Sequence, residues 1–343
     1  MTEALSVRRG RILKHVVEEY VITAQPVSSD VLVRKYVPSV STATVRNELA
    51  ALEEFGYLTH PHTSAGRVPS DLGYRYYVEW LMADVGLTET DERLISHQFH
   101  QVEFDIGEWI HLAASVLSAR VQNPVMISPP VSSVSRLRRI DFVRIGIGVV
   151  LVVAMLRSGT IKQQVVRLHD DVSSEALTRL ANEWNELLVG RSADELRDAA
   201  ALSELPDVAD AAVRMLDEAD RQSVAGSGDV HVAGLSYIAA QPEFVTGDRF
   251  QPLVEALEQH IIPNALLGPL LASTGTYVAI GQEHPFDQLS GCSVVLARYG
   301  RPGEMLGVVG VIGPTRLPYW RAVPMVGYIA RLLDRLIEET YLT

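Results

Sequence analysis

Apolar residues recur with helical spacing from the start of the chain. Ile12, Leu13, Val16, Val17, Tyr20 and Val21 fall on one stripe, while Arg11, Lys14, Glu18 and Glu19 lie outside it; this predicts an amphipathic helix with one core-facing side. Gly10 weakens its first turn, and Gln25-Pro26-Val27 ends it. Ser28 or Ser29 caps a short second helix through Tyr36. After the turn Val37-Pro38-Ser39-Val40, Ser41 caps a third helix with Val45, Leu49, Leu52 and Phe55 on its core face, and Gly56 stops it. An extended Tyr57-Leu58-Thr59, a polar loop over 60–67 and a return through Val68-Pro69 follow. Three helices and then a short hairpin is the order of a winged helix-turn-helix. A fourth helix, Asp71 to about Asp84, brings Leu72, Tyr76 and Trp80 to pack this head.

Two connecting helices are expected next, Thr88–Val102 and Ile106–Ser118, the second with Trp109, Leu112, Ala113, Val116 and Leu117 on one face. From Pro124 the period changes to that of strands: Val125-Met126-Ile127, Arg138–Val143 and the nearly uncharged Gly146–Leu156, the last expected to be buried on both sides. Residues 161–228 break the β pattern. Leu177, Leu180, Ala181, Trp184, Leu187 and Leu188 mark a helix ending at Gly190, Ser192-Ala193-Asp194-Glu195 is a capping box, and Asp207–Gln222 is a third helix. Strands resume at Val230–Gly234, Tyr277–Gly281, Ser293–Tyr299 and Gly307–Ile312, and a helix over Trp320–Thr340 buries Val326, Ile329, Leu333 and Leu336. The economical reading is an α+β domain interrupted by a helical insertion, carried behind the head.

Composition refines this picture. With 343 residues, 47% of them hydrophobic and 21% charged, the chain has material for two or three folded domains. The segment MTEALSVRRGRIL has no apolar targeting stretch, and no run approaches a membrane span. A single Cys292, expected in a strand core, excludes an internal disulfide and a thiolate zinc site. The cytoplasm is the expected compartment. The net charge is −12, yet residues 1–80 hold nine Lys/Arg and nine Asp/Glu, so the whole excess lies in 81–343. A neutral head on an acidic body can bind DNA where its basic groups share a face.

The third helix carries the chemistry for that. Its core face leaves Thr42, Ala43, Thr44, Arg46 and Asn47 outward near its N-terminal end, where a major-groove reader needs short or forked polar groups. Arg46 can fork onto guanine or clamp a phosphate, Asn47 can read adenine, and Thr44 suits a phosphate or a thymine methyl. Alternatively, Arg46 pairs with Glu48 or Glu54 on a solvated face. Arg67, beside Gly66, can enter a minor groove, touch the DNA backbone or form a structural salt bridge. His60 and His62 have a metal-like spacing, but no further ligand cluster accompanies them, so they are read as surface histidines near phosphates. Trp184 and Leu188, on the apolar stripe of the first insertion helix, lie either in its own core or at a dimer face. No Gly-x-Ser-x-Gly elbow or P-loop occurs, and Gly146-Ile147-Gly148 lacks the third glycine of a dinucleotide fingerprint. No enzyme, cofactor or metal is expected.

Several runs together resemble the HrcA heat-shock repressor family: Ser41-Thr42-Ala43-Thr44-Val45-Arg46-Asn47-Glu48-Leu49, Gly56-Tyr57-Leu58, Pro61-His62-Thr63-Ser64-Ala65-Gly66-Arg67 and Gly73-Tyr74-Arg75-Tyr76-Tyr77-Val78 near the start. Pro242-Glu243-Phe244, Ile280-Gly281-Gln282-Glu283 and Gly310-Val311-Ile312-Gly313-Pro314-Thr315-Arg316 follow far downstream. Ser28, His284 and Leu235-Ser236 depart from the family pattern. The resemblance implies an α+β multidomain homodimer. Its parts would be a winged helix at 1–84, connecting helices at 85–122, a GAF-like domain at 123–160 and 229–343, and a dimerising insertion at 161–228. It implies DNA binding through Thr42, Thr44, Arg46, Asn47, His62 and Arg67, and repression of chaperone operons at an inverted-repeat (CIRCE-type) operator, with activity dependent on the GroEL chaperonin. The rival expectation is a winged-helix repressor controlled by a small ligand in the GAF-like domain.

Overall fold

Ser6 opens the first helix: its hydroxyl accepts the N–H of Arg9, and α1 (Val7–Thr23) buries Ile12, Leu13, Val16, Val17 and Val21. The structure, a computed structural model, describes residues 5–61, 66–82, 86–102, 105–130, 134–200, 205–224, 230–239, 241–245, 275–284, 289–301 and 305–341. The architecture is mixed α/β with antiparallel strand pairs, divided into two compact units. One comprises Met1–Ile127, His231–Arg298 and Val309–Ala330; the other comprises Ser128–Val230, Tyr299–Val308 and Arg331–Thr343.

In the first unit, Ser28 caps α2 (Ser29–Lys35), and Ser41 caps α3 (Thr42–Glu54). Strands β1 (Leu58–Thr59) and β2 (Val68–Pro69) pair antiparallel, Leu58 opposite Pro69 and Thr59 opposite Val68. Helix α4 (Asp71–Tyr76), capped by Ser70, continues as a π-helical turn over Tyr77–Leu81. Here the structure corrects the expected packing. Tyr74, Tyr76 and Tyr77 fill the interior, while Leu72 and Trp80 are exposed, as is Phe55 at the end of α3. Helices α5 (Glu89–His100) and α6 (Ile106–Val121) follow, then β3 (Val125–Ile127).

In the second unit, β4 (Leu137–Gly146), β5 (Val149–Leu156) and β6 (Ile161–Arg167) form an antiparallel sheet in sequence order. Helices α7 (Ser174–Leu188), α8 (Ala193–Ala200) and α9 (Pro206–Val224) share one core with it. Two expectations change. β5 is not buried on both sides: Val150, Val152, Ala154 and Leu156 are buried, whereas Val149, Leu151, Val153 and Met155 are partly exposed. And β4 and β5, expected with the strands after residue 229, pair with β6 instead, a strand concealed by its polar Lys162-Gln163-Gln164.

The remaining elements are β7 (His231–Ala233), α10 (Leu235–Ala239), α11 (Pro242–Val245), β8 (Thr276–Ile280), β9 (Cys292–Arg301), β10 (Met305–Pro314) and α12 (Tyr319–Tyr341). The second sheet has strand order β7-β3-β10-β9-β8. Cys292 is buried in β9, and Val326, Ile329, Leu333 and Leu336 are buried in α12. No described helix is long and apolar enough to cross a membrane.

Candidate nucleic-acid interface

The third helix is set from both ends. At its start the Ser41 hydroxyl accepts the Thr44 N–H at 3.1 Å, and at its finish Gly56 takes φ +79°, a left-handed conformation natural to glycine. Between them Val45, Leu49 and Leu52, at i, i+4 and i+7, are buried, so the helix cannot roll without exposing them. The opposite side presents Ala43, Arg46, Asn47 and Ala50 to solvent, with Thr42 and Thr44 half-buried. The Thr44 hydroxyl lies 2.8 Å from that of Ser41.

Glu19, on α1, is only 5% exposed, and its carboxylate accepts from Lys35 Nζ at 2.5 Å and from the Tyr36 hydroxyl at 2.6 Å. Burial pushes this carboxyl up, but the hydrogen bonds from Lys35 and Tyr36 outweigh burial and hold it below the ordinary value. The Tyr36 hydroxyl is correspondingly pushed up to about 12 by burial and by its bond to Glu19. Sequence periodicity alone put Glu19 on the solvated side; the end of α2 covers it.

Glu48 is occupied: Arg9 Nε donates to it at 3.0 Å, and the same guanidinium lies 5.2 Å over the Phe55 ring. Arg46 therefore pairs with neither Glu48 nor Glu54, and among the described residues Arg46 and Asn47 make no side-chain hydrogen bond or ion pair. Arg8 and Arg34 are further exposed cations without an acidic partner among the described residues. The sequence reading did not single them out, because which arginines stay free depends on which acids are already taken.

The hairpin is anchored at its base, where Arg67 and Val27 exchange backbone hydrogen bonds at 2.8 and 2.9 Å. The Arg67 side chain takes the salt-bridge alternative: its Nε lies 2.8 Å from Glu53, which also meets His60. His62 lies outside the described residues. Trp184 and Leu188 are 5% and 7% exposed in the core of their own unit, with Trp184 edge-on to Phe142 at 5.7 Å. Of the two alternatives, both side chains take the core of their own unit.

A family profile described as "HrcA protein C terminal domain" matches residues 107–323. The chain is 42% identical over 351 residues to a heat-inducible transcription repressor HrcA of Roseiflexus sp. (strain RS-1), covering 99% of this chain and 97% of that one. It is 36% identical over 340 residues to one from Dehalococcoides mccartyi (strain ATCC BAA-2266 / KCTC 15142 / 195), covering 98% and 97%. A crystal structure of a hypothetical protein at 2.2 Å resolution aligns with a TM-score of 0.66 and 22% identity over 98% of this chain and 100% of that one, a likeness of fold.

Proposed function

The chain belongs to the HrcA family of heat-inducible transcription repressors, and on that premise we propose that residues 1–84 form a winged-helix head whose α3 reads an inverted-repeat operator ahead of chaperone genes. One observation carries this reading: Arg46 and Asn47 stand exposed and unpaired near the N-terminal end of a helix whose other face is locked in the core. Arg46 forks onto a guanine edge and Asn47 onto an adenine. Thr42, Thr44, Arg8 and Arg34 take phosphates, and β1–β2 with Arg67 and His62 is the wing.

The protein works as a homodimer, each head taking one half-site. The dimer surface is the outer face of the β4–β6 sheet. Val143, Ile145, Ile161 and Val165 are exposed there, with Leu151 and Val153 partly so, and a contiguous apolar patch of this kind is a mark of an interaction site. Arg139 and Asp141 pair with each other at 2.8 Å, so a second copy meets a compensated charge pair there, with the exposed Arg167, opposite Val149, at the edge of the same face. The dimerising insertion thus includes β4 and β5, and the sheet containing β3, β7, β8, β9 and β10 belongs to the GAF-like domain.

A GroEL-type chaperonin supplies the active state. β5 and β10 are apolar, β-prone and uncharged over Val149–Leu156 and Met305–Pro314, which makes them hazards while unpaired. A gel shift at fixed salt on chaperone-operon promoters, with and without chaperonin and ATP, tests the whole reading. The expected result is a specific shift whose active fraction rises with chaperonin while the dissociation constant stays fixed. A changed dissociation constant at a constant active fraction would assign control to direct allostery, and the absence of a specific shift would refute the operator reading.

A further inference from the structure

Four of the signature segments converge on one seam inside the first unit. Tyr74 is fully buried against Tyr319 with ring centroids 5.8 Å apart, and Tyr77 meets Trp320 edge-on at 6.4 Å. These ring contacts join α4 and its π turn to the start of α12. Aromatic contacts alone leave room for rocking, because their orientational preference is shallow. The directional contacts stand at either side.

On one side Arg75 donates from Nε to Glu283 at 2.7 Å and from Nη2 to the Val278 carbonyl at 2.8 Å, with Nη2 also meeting the second Glu283 oxygen. Glu283 is itself held by the Ile280 N–H at 2.9 Å. One turn back on α4, Asp71 accepts the Gln282 N–H at 3.1 Å. Gly281, at φ +53°, leaves no room for a Cβ against that Asp71 carboxylate. On the other side Arg316 donates from Nε and Nη2 to the two Glu243 oxygens at 2.5 and 3.0 Å and from Nη2 to Gln241 at 2.6 Å. Its Nη1 donates to the Val21 carbonyl at 3.3 Å, one of the last-turn carbonyls of α1 that lack a helical partner. Fork-on-carboxylate contacts fix orientation as well as distance.

Resting on the inverted-repeat reading above, we propose that Arg75–Glu283 and Arg316–Glu243 are positioning pairs that hold the DNA-reading head at a fixed angle, so that the protein accepts one separation of half-sites. The two clamps grip the head at two different elements, α4 and the end of α1, and two oriented contacts remove the rocking that the aromatic seam allows. For a dimer the second half-site binds intramolecularly, at an effective concentration set by how freely the heads move. Rigid heads give tight binding at one spacing and poor binding at its neighbours; loosened heads trade affinity for tolerance.

The test uses the full-length protein and operator duplexes whose half-sites are separated by the native distance or by one or two extra base pairs, together with a single half-site. Wild type should lose about tenfold or more in affinity when one base pair is inserted. The Glu243→Gln/Glu283→Gln variant should lose about tenfold at native spacing and discriminate between spacings by less than about threefold. Its half-site affinity should stay unchanged. A reversal of one pair on the wild-type background, Arg75→Glu with Glu283→Arg, should retain wild-type spacing discrimination if the variant refolds with wild-type circular dichroism. Unchanged discrimination in the double variant would overturn the proposal, as would an equal loss on the half-site, which would place the effect on α3 itself. A wild type with no preference for an inverted repeat would instead refute the operator reading, and the clamp proposal with it.

Discussion

Glu19 holds a charge where little water reaches it, and the two donors that face it are the reason it can. Because its carboxyl sits below the ordinary value of 4.5, its contribution to stability is fully present above that value and is lost as pH falls through the folded-state value. Glu19→Gln is expected to cost about 2 kcal/mol at pH 7, the scale of hydrogen bonds to a charged group. Urea denaturation should show the gap between wild type and variant shrinking toward pH 3; a gap independent of pH would mean that the charge is irrelevant. At this scale the sequence was a partial guide. Ser41, Gly56, Arg46 and Asn47 were legible because capping and helical spacing are local rules. Glu19 was not, because Lys35 and Tyr36 reach it across a turn. Nor could spacing decide between the wing and salt-bridge roles of Arg67, since Glu53 comes beside it only once the hairpin folds back.

The hairpin raises the corresponding question for an element. Arg67 forms an ion pair with Glu53, so a wing that touches a phosphate must give up that pair, and the carboxylate left behind repels the DNA. Glu53→Gln should therefore strengthen binding to any duplex by about two- to fivefold and steepen the salt dependence, while Arg67→Ala should weaken binding broadly and flatten it by about one counterion per site. If neither variant moves the salt slope, the hairpin does not face DNA. Elements with strong periodicity were legible to within a residue or two, α9 and α12 among them. Those whose burial depends on a partner were not. β5 reads as an all-apolar run, yet helices cover only one of its faces. β6, polar at its centre, gave no strand signal on its own. Leu72 and Trp80 follow the helical apolar pattern of α4 but lie outside its packing.

Across the whole molecule, the proposed dimer rests on the uncovered sheet face rather than on Trp184 and Leu188, and the two possibilities separate cleanly by mutation. Leu151→Glu with Val165→Glu should yield a monomer by light scattering that keeps wild-type circular dichroism, because neither side chain belongs to the core of the single chain. Trp184→Ala should cost about 3–5 kcal/mol as a core cavity and lower the melting temperature before any change in association. A dimer that survives the double charge would move the interface elsewhere. Convergence of distant segments was the least legible feature: no local pattern joins Arg75 to Glu283 or Arg316 to Glu243, which meet only in the folded chain. The claim on which everything else depends is that α3 reads sequence through Arg46. Its most direct measurement is an anisotropy titration of wild type and Arg46→Ala against an operator duplex and a shuffled duplex at one salt concentration. Arg46 has no partner among the described residues, so the variant should melt like wild type. It should lose about 1–3 kcal/mol on the operator and stay within about twofold on the shuffled duplex. Equal losses on both duplexes, or no loss on the operator, would contradict the account.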